Sequence, residues 1–369
     1  MFGYQVAVTK PNFLSAHFES RDNSLNAVRL FLALAVAIAH ALTIKNGLGS
    51  IERIRIFDLT TSYMAVNGFF MLSGMLIAWS LSFRKDLVFF ITARVLRLLP
   101  ALIVLALISA LVVGPIFTAY TFEQYVRDPD FWQYPLRVIT FGRVDDGPPG
   151  LFSTAPWPGE FSGSLWTLRY EALAYVGAAI VFATGLLRTR VGPALLAVLS
   201  IAAFSFLRMK YADTLNDTPI FSVIRFAVCF TLGMTAYAYG KWIPVRWRYL
   251  PLLLGLFFLF GKTSVAEIIG NLALGYLILL VGFRAGTVFD PIQKMPDMSY
   301  GIYIWHWPIY QIFLLKNSDV SAWVLVFVAI PLAMLVALLS WVYIEKPSLG
   351  LKVGISSWVH QFMFRLKRG

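Results

Sequence analysis

The sequence predicts an all-α, polytopic integral membrane protein of about ten transmembrane helices. Three observations carry that expectation. Of 369 residues, 59% are hydrophobic and only 14% charged, where soluble domains average about 25% charged. The mean hydropathy of +0.72 belongs to a chain held mostly in lipid. Apolar windows of about 20 residues, enough to cross a bilayer as a helix, recur along nearly the whole length. Their apolar runs do not alternate with polar residues, which excludes the strands of a membrane barrel.

Taken in order, the first 25 residues or so are polar and lack the basic, apolar, small-residue succession of a cleaved signal. Spans are then expected at roughly 28–44, 60–82, 98–118, 164–186, 192–208, 220–240, 249–262, 264–283, 299–315 and 321–342. The seventh is short, and it can form a hairpin with the eighth around GKTS. No repeat or low-complexity linker divides the chain, so residues 1–369 read as one membrane domain with short tails. No further domain is expected after the last span.

Net charge is +12. The basic residues collect in short loops beside spans, so topology and contact with anionic lipid explain them better than nucleic acid does. A cytoplasmic N-terminus puts Arg84, Lys85, Arg94, Arg97, Arg188, Arg190, Lys241, Arg246 and Arg248 inside, and an even number of spans returns the C-terminus there. One cysteine, Cys229, excludes an internal disulfide and any cysteine metal cluster. Histidines at 17, 40, 306 and 360 lack ligand spacing, so no metal is expected.

The longest loop, about 119–163, then faces outward. It mixes Glu123, Asp128, Asp130, Asp145, Asp146 and Glu160 with Trp132, Tyr134, Trp157 and the turn-forming DDGPPG. Acidic groups beside aromatics suit a polyhydroxylated ligand such as a sugar; a packed lid over the bundle fits equally well.

Charge within a span costs free energy and needs a reason. Arg29 and His40 share the first span eleven residues apart, roughly 16 Å and about three helical turns, so both face nearly the same side. Taken singly, they read as a snorkelling arginine and a packing histidine. Together they suggest a polar path inward from the cytoplasmic edge. Arg94 and Arg97, in ARVLRLLPAL, share one helix face. They can anchor the chain by the positive-inside rule or hold a phosphorylated group between two guanidinium forks. Pro100 is expected to break an interfacial helix from the span proper. Glu171, in SLWTLRYEALAY, must pair or protonate at its depth. Arg169, Arg225 or a histidine that it orients are the candidate partners. His306 lies between Trp305 and Trp307, where a histidine of the interfacial aromatic belt is the plainer reading. FFMLSG joins the hydroxyl of Ser73 to a residue, Gly74, that permits close helix approach.

These fragments stand in the order of a known family. Arg29 and His40 with ten residues between them, NGFFMLSGMLIA, the RxxR pair Arg94 and Arg97 with Pro100, GSLWTLRYEALAYV, RFAVCFTLGM, SYGIYIWHWP and YIEKP run from about Asn26 to Pro347. On them the chain resembles the acyltransferase-3 family, membrane enzymes that transfer acyl groups, often acetyl, to sugars of envelope polysaccharides, Nod factors and some antibiotics. The resemblance implies His40 as the catalytic group and Arg29, Arg94 and Arg97 as donor-binding residues, with Trp166, Glu171, Ser73 and Gly74 carried over from matching motifs. Tyr170, Arg225, Tyr300 and His306 lie in the same motifs and are further candidates. It also implies a bacterial inner-membrane location. Some members carry an added SGNH esterase-like domain, which is not expected here.

The expected reaction is acyl transfer from acetyl-CoA, or another acyl-CoA, to a hydroxyl of a carbohydrate or lipid-linked glycan. Donor phosphates would lie near Arg94 and Arg97, and the thioester would reach toward His40. A neutral His40 could deprotonate the acceptor or carry the acyl group itself, with Glu171 orienting His40 or the acceptor hydroxyl. A transporter or flippase using His40, Glu171 and His306 as a polar pathway is the rival expectation.

Overall fold

The computed structural model describes residues 13–19, 23–47, 50, 52, 54–142, 144, 146–215, 218–285, 288–317 and 319–366. Asp145 of the acidic loop lies outside the described residues. Among them, eight helices are long and apolar enough to cross a membrane. After a short α1 (Leu14–Glu19) come α2 (Leu25–Ile44) and a small hairpin, β1 (Arg55–Ile56) with β2 (Leu59–Thr60). Next are α3 (Thr61–Arg84) and α4 (Leu87–Phe117), then α5 (Phe122–Arg127) and α6 (Pro129–Ile139) of the long loop. The chain continues through α7 (Leu165–Ala183), α8 (Val191–Tyr211), α9 (Pro219–Ala238), α10 (Trp247–Phe260) and α11 (Ala266–Arg284). It closes with α12 (Asp290–Gln293), α13 (Ser299–Lys316) and a long helical run, α14 (Ala322–Leu366).

The protein is thus all-α and membrane-embedded, as its composition predicts, and the count of ten spans is approximate. Two expected spans fall outside the eight. Helix α10 is short, and it turns at Gly261 into the hairpin with α11. Helix α13 carries tyrosines, tryptophans, His306 and Gln311, and most of its residues are buried. A helix enclosed by protein can carry polar groups that lipid would reject.

Two expected boundaries move. The chain does not break at Pro100, because α4 runs on through it from Leu87. In apolar surroundings one lost hydrogen bond costs less than the several backbone groups exposed by ending the helix. The last span continues past residue 342, since α14 carries the tail as helix to Leu366. Its end lies along α4, where His360 Nε2 is 3.5 Å from Asp86 Oδ1. Asp86 also caps α4, accepting a hydrogen bond from Phe89 N at 2.9 Å.

The chain divides into two compact units. The first comprises residues 1–28, 70–82 and 185–295. In it α3 and α9 cross at small residues. A Cβ on Gly74 would lie 2.0 Å from the Phe230 carbonyl oxygen, and one on Gly233 2.0 Å from that of Met71. Phe70 stacks on Phe226 beside this crossing, with ring centroids 4.1 Å apart. Cys229 is buried.

The second unit comprises residues 29–69, 83–184 and 296–369. Here α2 and α13 run parallel, because Arg29 meets Asp297 just ahead of α13 and His40 meets His306 further along both helices.

Candidate functional site

The second unit holds two polar clusters about 16 Å apart along α2, by its helical rise. The first is a pair of histidines. His40 Nδ1 lies 2.9 Å from His306 Nε2, and the rings stack with centroids 5.2 Å apart. His306 Nδ1 in turn lies 2.8 Å from the Ile302 carbonyl oxygen. A carbonyl only accepts, so in neutral rings the protons follow from the contacts. His306 Nδ1–H donates to Ile302, its bare Nε2 accepts from His40 Nδ1–H, and the lone pair of His40 is left on Nε2. A ring so held presents one basic, nucleophilic nitrogen in a set direction.

His306 is fully buried, so it is not the belt histidine expected from its tryptophan neighbours. Those neighbours form a wall. Trp307 meets the His40 ring edge-on at 5.1 Å, and Trp157 of the long loop meets Trp307 at 5.3 Å. The Trp157 indole donates to the Ile44 carbonyl at the end of α2, and Gln311 holds the Trp157 carbonyl at 2.6 Å. Pro308 has no N–H, which leaves the Ile304 carbonyl without its helical donor. The Ser162 hydroxyl reaches that carbonyl at 3.3 Å, and Ser164 reaches the Tyr303 carbonyl at 2.7 Å. The last stretch of the loop is therefore packed against α13, over the histidine pair.

The second cluster is ionic. Arg97 bridges two carboxylates, with Nη2 2.8 Å from Asp297 Oδ2 and Nη1 3.3 Å from Glu345 Oε2. Arg29 Nη1 is 3.5 Å from the same Asp297 oxygen. Asp297 lies outside the spans, and burial raises its pKa. The guanidiniums of Arg97 and Arg29, with the Ser299 hydrogen bonds, outweigh that effect and hold the carboxyl at about 2. The Tyr300 ring lies 5.7 Å from the Arg97 guanidinium, and its hydroxyl donates to the Leu98 carbonyl at 3.0 Å.

Arg94 keeps different company from Arg97 despite their shared face. Its guanidinium stands 5.5 Å from the Tyr175 ring centroid, beside an apolar groove of about 450 Å³ lined by Phe90, Leu98, Tyr175 and Val176. Glu171 accepts a hydrogen bond from the Tyr175 hydroxyl. The histidine that Glu171 was a candidate to orient is instead held by His306, because Glu171 faces its own helix neighbour one turn on. Trp166 and Tyr170 pack edge to face at 5.6 Å. Ser73 and Arg225 belong to the first unit, Ser73 half-buried on α3 and Arg225 buried on α9 over the Phe226 ring. Among the described residues no cluster of three His, Cys, Asp or Glu side chains is placed to hold a metal.

Asp297, Glu345, Tyr175, Ser162 and Ser164 were not singled out from sequence. Pro308, two residues after His306, was the available signal that a hydroxyl had to approach α13.

Comparison with known proteins supplies the family. The acyltransferase-3 profile, described as an acyltransferase domain, matches residues 22–343. The chain is 25% identical over 361 residues to "Nodulation protein 10" of Rhizobium leguminosarum bv. viciae, covering 92% of this chain and 96% of the relative. It is 22% identical over 333 residues to the "O-acetyl transferase" of Shigella phage Sf6, covering 88% and 96%. No solved structure matches. With its helical spans and a family match across most of its length, the chain belongs to the acyltransferase-3 family and is a membrane-embedded acyltransferase.

Proposed function

We propose that the protein is an O-acetyltransferase that moves an acetyl group from acetyl-CoA to a hydroxyl of a glycan, free or lipid-linked, with His40 at the centre. The observation that carries the reading is the His40–His306 contact, which leaves His40 Nε2 as the free nitrogen inside a family-matched span. A relative named for O-acetyl transfer supports the acetyl group, and the resemblance of the motifs to the acyltransferase-3 family supports the glycan class.

The chain acts as one membrane domain in a bacterial inner membrane with both termini cytoplasmic. The donor approaches from the side of Arg29, Arg94 and Arg97, which meet its phosphates. His40 Nε2 takes the proton of the acceptor hydroxyl as that oxygen attacks the thioester carbonyl, and the thiolate leaves with a proton. In the two-step form, Nε2 attacks first, and the acyl-imidazole then passes its acyl group to the acceptor. Glu171 acts through Tyr175 on Arg94. Trp166, Tyr170 and Tyr300 shape the donor path, and Ser73 and Arg225 serve through the packing of their own unit. The test is incubation of purified protein with radiolabelled acetyl-CoA and a cell-envelope glycan fraction. Label in the glycan that depends on His40 is expected; equal transfer by His40→Ala would overturn the reading.

A further inference from the structure

Arg29 and Arg97 come from different helices, yet both aim at one atom. Asp297 Oδ2 lies 2.8 Å from Arg97 and 3.5 Å from Arg29. Two guanidiniums converging on one oxygen make an anion seat, and here the protein's own carboxylate fills it. The other acid on Arg97 is fixed. Glu345 is 1% exposed, accepts from Ser340 Oγ at 3.0 Å and rides in the long helix α14. Asp297 is 14% exposed and sits on the non-helical link between α12 and α13. Its second oxygen, Oδ1, already accepts from the Ser299 hydroxyl at 2.6 Å. Of the two acids, Asp297 is the one that can yield.

We propose that Asp297 is a placeholder for a phosphate of the acyl donor. A dianionic phosphate takes the point between Arg29 and Arg97, and Asp297 withdraws onto Ser299. The inference rests on the donor reading above. A free carboxylate monoanion carries no more charge than the tethered one and does not displace it. A phosphate brings about one further charge and three strong acceptor oxygens, and does. Asp297 is therefore a positioning residue that reserves the seat for phosphorylated ligands and refuses simple carboxylates, acetate among them.

The experiment uses the purified full-length protein with inorganic pyrophosphate and acetate as probes, read by calorimetry. Wild type should bind pyrophosphate and ignore acetate. Asp297→Asn should bind pyrophosphate about tenfold tighter, acquire acetate binding and show a lower KM for acetyl-CoA. Asp297→Glu should behave as wild type, and Asp297→Ser substitutes if the Asn variant does not fold. A purely structural aspartate would give weaker binding and a raised KM. Asp297→Asn that folds yet binds pyrophosphate no tighter overturns the placeholder; acetyl-CoA competition that still depends on Arg97 would leave the donor reading intact. If acetyl-CoA binds but pyrophosphate binds neither form, the placeholder and the arginine donor seat both fall.

Discussion

His40 Nδ1 stands 2.9 Å from His306 Nε2, and the Ile302 carbonyl fixes the far side of the second ring at 2.8 Å. The pair has the logic of a base oriented by a third group. His40→Ala should abolish transfer. His306→Ala should lower kcat about 100-fold, within the usual range of general acid–base contributions, with donor KM nearly unchanged. His306→Gln, whose side-chain oxygen can still accept from His40, should recover part of the loss. Steady-state kinetics on the three variants decide it, and a fully active His306→Ala would return that residue to packing.

The two arginines of the RxxR pair should separate in mutagenesis. Removing Arg97 strands the Glu345 carboxylate, which is 1% exposed. Such a loss costs about 3–5 kcal/mol, so Arg97→Ala should unfold at much lower temperature in detergent. Among the described residues Arg94 forms no ion pair with a carboxylate, so Arg94→Ala should fold normally, with its effect confined to acyl-CoA affinity. Equal thermal stability of the two variants would contradict the assignment.

Asp297 gives the protein an acid limit. Its folded pKa of about 2 lies below the ordinary 3.8, so its contribution is fully present above about pH 4 and is lost as pH falls toward 2. That contribution is on the order of 2 kcal/mol. Through Asp297, thermal stability should therefore not vary with pH between 5 and 8, and Asp297→Asn should flatten the fall below pH 4. An unchanged acid limb in the variant would show that other carboxylates set it.

At the crossing of α3 and α9, Gly74 and Gly233 each face the other helix's backbone with no room for a methyl group. Gly74→Ala should separate the helices and cost about 1–3 kcal/mol, as should Gly233→Ala. The double variant should cost less than the sum, because one displacement relieves both contacts. Thermal melts of the purified variants test this, and a neutral Gly74→Ala would contradict the packing.

Periodicity made the Arg29–His40 stripe legible, because residues about three turns apart on one helix share a face in any context. It equally placed Arg94 and Arg97 on one face. It could not say that Arg97 would be consumed by Asp297 and Glu345 while Arg94 turned to Tyr175, since those partners lie about 80 to 250 positions away in the chain. His306 read as a belt residue because tryptophans flank it in sequence, but burial depends on neighbours that sequence does not display. Asp297, in MPDMSY, stands in no local pattern that marks it.

The sequence by itself determined the medium, the helical class, the spans to within an approximate count and the family. These follow from composition, local periodicity and ordered motifs, all properties of short stretches. Only the tertiary structure decided which polar groups meet. It set His306 against His40, gave Arg29 and Arg97 a common oxygen, and laid Ser162 on the carbonyl that Pro308 freed. In lipid a buried polar group must find a partner, but the partner is chosen by helix packing, which joins residues far apart in the chain.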